Sequence, residues 1–125
     1  MIVGCGTDIV HIPRIARALR RFGTRFTATC FTEAERAHAD AKPAPAKAYA
    51  RLYAAKEAAL KALGTGLRAG LSWHDLEIGH DALGKPNLAI TGGCRAVLAE
   101  KTSGDVICHL SMSDDGDYAV ATLII

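Results

Sequence analysis

The run AYARLYAAKEAALKAL, Ala48 to Leu63, constrains this chain more than any other. It is rich in Ala, Leu, Lys and Glu and holds neither Pro nor Gly, so it reads as the best helix in the sequence. Gly64 follows it and suits a left-handed residue just past the helix end. The helix carries Lys56, Glu57 and Lys61 close together and breaks on Gly64-Thr65-Gly66. Glu57 and Lys61 stand four apart with the Glu first, an orientation that gives a helix ion pair worth about 0.2–0.5 kcal/mol. The same pair on one helical face suits a metal-bound phosphate, with the carboxylate on the cation and the ammonium on the oxygens. Magnesium favours one or two carboxylates plus phosphates and waters over an all-protein cage. Taken by itself, the helix leaves both readings open.

The flanking segments give the setting. Met1 to Gly6 reads as a buried first strand ending in glycines, and Asp8 follows where that strand gives way to a loop. Pro13 suits the first turn of a helix whose Ile12, Ile15, Ala16, Leu19 and Phe22 repeat at helical spacing. Arg14, Arg17 and Arg21 share its other side, with Arg20 and Arg25 beside them. Thr32-Glu33-Ala34-Glu35 is a capping box. The segment AKPAPAK, 41–47, is a loop that breaks the capped helix inside one domain. Leu76 and Ile78, then Leu88 and Ile90, alternate around the turn ALGKP and predict a hairpin. A helix is predicted over 92–101, an alternating strand over 105–113, a turn at 114–117 and an apolar strand over 118–125. Such a strand at an open edge invites pairing, so it needs cover within the domain or between subunits. Hairpins alternating with helices predict an α+β fold, an antiparallel sheet with packed helices, in one domain over 1–125.

Composition narrows the function. A net charge of +2 argues against a dedicated nucleic-acid binder. No apolar run approaches the length of a membrane span, and MIVGCGTDIV lacks a basic leader before Asp8. The four cysteines form no C-x-x-C pair and fit reduced core thiols, so a cytoplasmic protein is expected. Asp8 is either a turn aspartate or a second metal carboxylate. Gly64-Thr65-Gly66 either caps the helix or cradles a phosphate with backbone N–H groups; no Walker loop occurs anywhere. His109, Ser111 and Ser113 share a polar strand face, but no G-x-S-x-G elbow accompanies them. The arginine face is either simply solvated or docks an acidic partner, a task for which arginine is favoured. Together these parts suit metal-assisted chemistry on a diphosphate, with a second protein as acceptor.

Four segments then match a known family in order and over nearly the whole chain: GTDIVHIPRI at 6–15, YAAKEAALKALGTG at 53–66, GKPNLAITG at 84–92 and HLSMSDDGDYAVATLII at 109–125. They resemble the holo-[acyl-carrier-protein] synthases, the small phosphopantetheinyl transferases of fatty-acid synthesis. The resemblance implies transfer of the 4′-phosphopantetheine arm of coenzyme A to a serine of apo acyl carrier protein, with adenosine 3′,5′-bisphosphate as the other product. It implies a magnesium ion on Asp8 and Glu57, and Lys61 stabilising charge on the displaced phosphate. Gly64, Thr65, Gly66, Lys85, Pro86, His109 and Ser111 correspond to the coenzyme A cleft, and Arg14, Arg17 and Arg21 to the helix that meets the acidic carrier. It also implies a homotrimer with active sites between subunits. A carrier from polyketide or peptide synthesis, or a non-catalytic carrier-binding module, are the alternatives. Two positions depart from the pattern. Asp114 stands where many relatives have a second His, and Leu52 where many have Arg, with Arg51 one step earlier. One step turns a helical side chain by about 100°.

Overall fold

The computed structural model describes residues 1–125. Strand β1 (Cys5–His11) leads into helices α1 (Ile12–Phe22), α2 (Thr24–Cys30), α3 (Glu33–Asp40) and α4 (Pro45–Leu63). A hairpin of β2 (Leu76–His80) and β3 (Pro86–Ile90) follows, then α5 (Gly92–Lys101), β4 (His109–Asp115) and β5 (Tyr118–Ile124). All strand pairs are antiparallel, in one sheet of order β1-β5-β4 and one two-stranded sheet β2-β3. The α+β expectation therefore stands. Helix α4 is the central beam, packed on β1 and β5, with Leu52, Leu60 and Leu63 almost wholly buried.

Several boundaries differ from the sequence reading, each for a physical reason. The first strand does not end at Gly6; it runs from Cys5 through Asp8 to His11, while Met1 and Ile2 lie exposed. The glycines are there for close approach. A methyl group on Gly4 would run into the carbonyl of Ala62, and one on Gly6 into the carbonyl of Ala58. So the backbone of β1 lies directly on α4. Helix α2 is short and carries three threonines, whose β-branching weakens the helix signal. Helix α4 begins at Pro45, earlier than Ala48, with the proline in the first turn where its missing N–H costs nothing. Gly64 closes it in the left-handed conformation, with φ 78°. Asp114 and Asp115 belong to β4, and the turn is only Gly116-Asp117, with Gly116 at φ 58°. The apolar last strand is central, hydrogen-bonded on both sides. Its Ala119, Ala121 and Leu123 are buried towards α4, while Tyr118 and Val120 on the other face remain open in the single chain.

The capping box at Thr32 forms, and Glu35 goes on to a further role. Its Oε1 accepts from the Thr32 N–H at 2.8 Å and its Oε2 from the Ile78 N–H at 2.8 Å. Lys56 Nζ lies 2.6 Å from the same carboxylate and donates to the Trp73 carbonyl at 2.9 Å. Both side chains are fully buried. Burial pushes the Lys56 ammonium below its ordinary range, and Glu35 opposes that shift.

His38 on α3 stacks on His80 of β2, with centroids 4.0 Å apart and planes 9° from parallel. Burial lowers both pKa values; His80, Lys42 and Arg51 lower His38 further, and Lys42 and Arg51 lower His80. Asp81 acts on His80 in the opposite sense. The unfolded chain therefore binds more protons than the fold just below the ordinary histidine value of about 6.5. This contribution is full above that value and is lost as pH falls through it towards the folded values. The melting midpoint of the wild type should fall more between about pH 7.5 and pH 5 than that of His38→Gln/His80→Gln, across the window in which free histidine titrates. Parallel profiles would contradict the assignment.

Candidate active site

The march of β1 along α4 sets the site. Gly4 lies against Ala62 and Gly6 against Ala58, so two strand residues advance as far as about one helical turn. Continuing, Asp8 falls level with the turn that carries Glu57. Asp8 shares its face with Ala121 and Met112, the face turned to α4. Lys61 Nζ donates to Asp8 Oδ1 at 2.9 Å and to the Thr7 carbonyl at 2.9 Å. Thus Lys61 pairs with Asp8 and not with Glu57, so the ordinary helix ion pair is absent. Glu57 is partly buried and forms no ion pair in the chain. It presses instead on the Tyr53 phenol, which burial first, and Glu57 next, push up to about 12.

The turn after α4 adds a further element. The Thr65 hydroxyl is buried and has no hydrogen-bond partner, between Gly64 and Gly66 at φ 78° and 60°. Burying a hydroxyl unpaired is costly, so the turn is ready for an acceptor from outside the chain. No group of three or more His, Cys, Asp or Glu side chains could hold an ion by itself. Two carboxylates plus a phosphate ligand fit magnesium's habit of keeping few protein ligands.

A second cluster lies elsewhere. Lys85 meets His109, Ser111 and Thr122 around a cavity of about 200 Å³. His109 pairs in register with Ile124, and Ser111 with Thr122, on the sheet face turned away from α4. The chain therefore splits the predicted residues in two. Lys61 joins Asp8 between β1 and α4, with Glu57 one turn earlier on the same helix and Gly64–Gly66 just past its end; Lys85, His109 and Ser111 gather at the opposite edge and opposite face. Pro86 joins neither group and lines a cavity of about 550 Å³ with His38, Arg51, His80 and Met112.

Arg14, Arg17 and Arg21 are exposed on α1 and form no ion pair in the chain. The Arg14 guanidinium lies 6.0 Å from the centre of the Tyr53 ring, so the arginine face adjoins the Glu57 side of α4. The two departures from the family pattern are connected. Arg51 donates to Asp114 Oδ2 at 2.6 Å, which ties α4 to β4, while Leu52 turns into the core. Residue-by-residue reading could not join positions 63 apart in sequence.

Comparison with known proteins identifies the family. The model of the 4′-phosphopantetheinyl transferase superfamily matches residues 4–123. A holo-[acyl-carrier-protein] synthase of Methylobacterium nodulans is 46% identical over 127 aligned positions, covering all of this chain and 96% of that protein. The crystal structure of the Neisseria meningitidis holo-[acyl-carrier-protein] synthase matches with a TM-score of 0.86 at 40% identity, over 99% of this chain and 98% of that one. That of the Bacillus anthracis synthase, in complex with CoA (3′,5′-ADP), matches with a TM-score of 0.80 at 36% identity, over 99% and 96%. A strand laid on an alanine helix by two glycines, Lys61 closed onto Asp8, and these matches lead to one conclusion: the chain belongs to the 4′-phosphopantetheinyl transferase superfamily, among its holo-[acyl-carrier-protein] synthases.

Proposed function

We propose that this protein transfers the 4′-phosphopantetheine arm of coenzyme A to a serine hydroxyl of an acidic apo acyl carrier protein in fatty-acid synthesis. The observation that carries the reading is Lys61 closed onto Asp8, with Glu57 one helical turn before Lys61 and free of any ion pair. Asp8 and Glu57 are the residues that would hold magnesium. Bound there with the diphosphate, the ion would neutralise charge as the P–O bond breaks. The serine oxygen bonds to the β-phosphorus, and adenosine 3′,5′-bisphosphate leaves. Lys61 stabilises the charge on the departing oxygens, as phosphoryl transfer chiefly requires positioning and charge stabilisation. The serine proton goes to Glu57 or to a water it holds. The Thr65 hydroxyl and the Gly66 N–H, which the chain leaves unused, donate to the nucleotide. No helix is long and apolar enough to cross a membrane, which agrees with a cytoplasmic enzyme.

Lys85, His109 and Ser111 serve the same coenzyme A from a neighbouring copy in a homotrimer, with Pro86 at the rim of the cleft. The split of the two clusters across the sheet supports this, as does the open face bearing Ile9, Tyr118 and Val120. A mixture of Asp8→Ala and His109→Ala chains, unfolded and refolded together, should regain activity that neither has alone. No regain, in a mixture shown by mass to form mixed oligomers, would place both halves of each site in one subunit.

Arg14, Arg17 and Arg21 receive the carrier, because they are exposed cations without partners next to the Glu57 side of α4. Arg14→Glu should raise KM for the carrier by about tenfold or more while leaving KM for coenzyme A within about twofold, the loss from reversing one interfacial charge. Equal effects on both would give Arg14 a place in the reaction centre instead.

A further inference from the structure

The Glu35–Lys56 pair lies outside the reaction centre and is costly to bury. Each charge leaves water, and such a pair seldom adds net stability over apolar residues of the same volume. Its best-attested use elsewhere is to fix one arrangement among several. Helix α4 needs such a device. Seven of its twelve buried residues are alanines, and β1 lies on it backbone to backbone at Gly4 and Gly6. Methyl groups and leucines pack without strong directional preference. Lys56 differs, with Glu35 at 2.6 Å, the Trp73 carbonyl at 2.9 Å and the Phe31 ring centre at 5.6 Å. Glu35 is itself held by the Thr32 and Ile78 N–H groups, so the lock ties α3, α4, β2 and the turn before β2. Trp73 leans on Tyr53 at 5.4 Å, and Tyr53 is the group pressed by Glu57.

We infer that Glu35 and Lys56 are positioning residues for the phosphoryl-transfer site: the buried pair fixes the rotation of α4 and so aims Glu57, its next residue, at the space beside Asp8. The inference rests on the proposed role of Glu57. It accounts for the juxtaposition of Lys56 and Glu57, one turned inward and the other partly exposed beside Tyr53.

Lys56→Met tests it, with Glu35→Gln as the second lesion and Lys56→Arg as the conservative variant. Manganese affinity is read by electron paramagnetic resonance in the presence of coenzyme A, and transfer kinetics are read separately, all well below each variant's melting midpoint. The folded Lys56→Met chain should lose about 10–100-fold in manganese affinity and kcat, the usual effect of removing a group that orients a metal ligand. KM for the carrier should stay within about twofold, because α1 is untouched. Lys56→Arg should recover much of the loss. If Lys56→Met does not fold, Glu35→Gln must show the loss of manganese affinity at unchanged carrier KM, with Lys56→Arg remaining near the wild type. Wild-type manganese affinity and kcat in a folded variant would make the pair a structural element only and overturn the inference. Glu57→Gln is the control for the underlying reading. If it retains transfer and manganese binding, the role of Glu57 fails, and the positioning inference fails with it. If it is inactive while Lys56→Met is fully active, only the positioning inference fails.

Discussion

Glu57→Ala should lower kcat/KM for transfer by about a thousandfold or more, equivalent to about 4 kcal/mol of transition-state stabilisation. The size follows from the chemistry. A diphosphate in reaction gathers negative charge on oxygens, and the protein's main service is to fix and offset that charge. Asp8 and Glu57 are the two carboxylates assigned to the ion, and the chain has no group of three or more His, Cys, Asp or Glu side chains to serve in their place. The fold should survive, because Glu57 is only partly buried and forms no ion pair. Removing it also frees the Tyr53 phenol from a neighbouring negative charge, so Tyr53 should titrate below its value of about 12. Asp8→Ala should be similarly inactive but should in addition release Lys61, whose ammonium would keep only the Thr7 carbonyl. Near-wild-type transfer by folded Glu57→Ala would remove it from the reaction.

Gly6→Ala should be the most damaging small substitution in the chain. The added methyl would meet the carbonyl of Ala58 and the amide nitrogen of Ala62 on α4. Neither can swing aside as a flexible side chain does, so β1 must lift from the helix. Overpacking a tight core commonly costs about 1–3 kcal/mol, and a backbone-on-backbone clash belongs at the top of that range or above it. Because β1 carries Asp8, lifting the strand also separates Asp8 from Lys61. Loss of stability and loss of transfer should therefore appear together, unlike in Glu57→Ala. The check is chemical denaturation alongside the transfer assay; an unchanged denaturation midpoint would contradict the packing described here.

The comparison of sequence with structure is instructive at particular residues. Long, strongly patterned elements were readable: α4, its Gly64 stop, the capping box at Thr32 and the β2-β3 hairpin all follow from local chemistry. Elements whose reason is a distant partner were not. Gly4 and Gly6 read as strand terminators because a glycine gives no local sign of a helix packed against it. Glu35 read as a cap because its other partners, Lys56 on Oε1 and the Ile78 N–H on Oε2, are far off in sequence. The final strand read as needing cover, within the domain or between subunits; that β1 and β4 flank it is a long-range property the local pattern does not carry. In the site, Asp8, Glu57 and Lys61 carried a sequence signal through the family resemblance. The i and i+4 spacing alone favoured a Glu57–Lys61 pair, which the fold replaces with Lys61–Asp8. The unpartnered Thr65 hydroxyl and the Arg51–Asp114 pair have no local signature.

The most direct test is the intact mass of apo acyl carrier protein after incubation with this protein, coenzyme A and magnesium. The account predicts a gain equal to one phosphopantetheine arm, absent with EDTA or with Glu57→Ala. No gain on several carriers, from folded protein that binds them, would contradict it and leave a carrier-binding module in place of an enzyme.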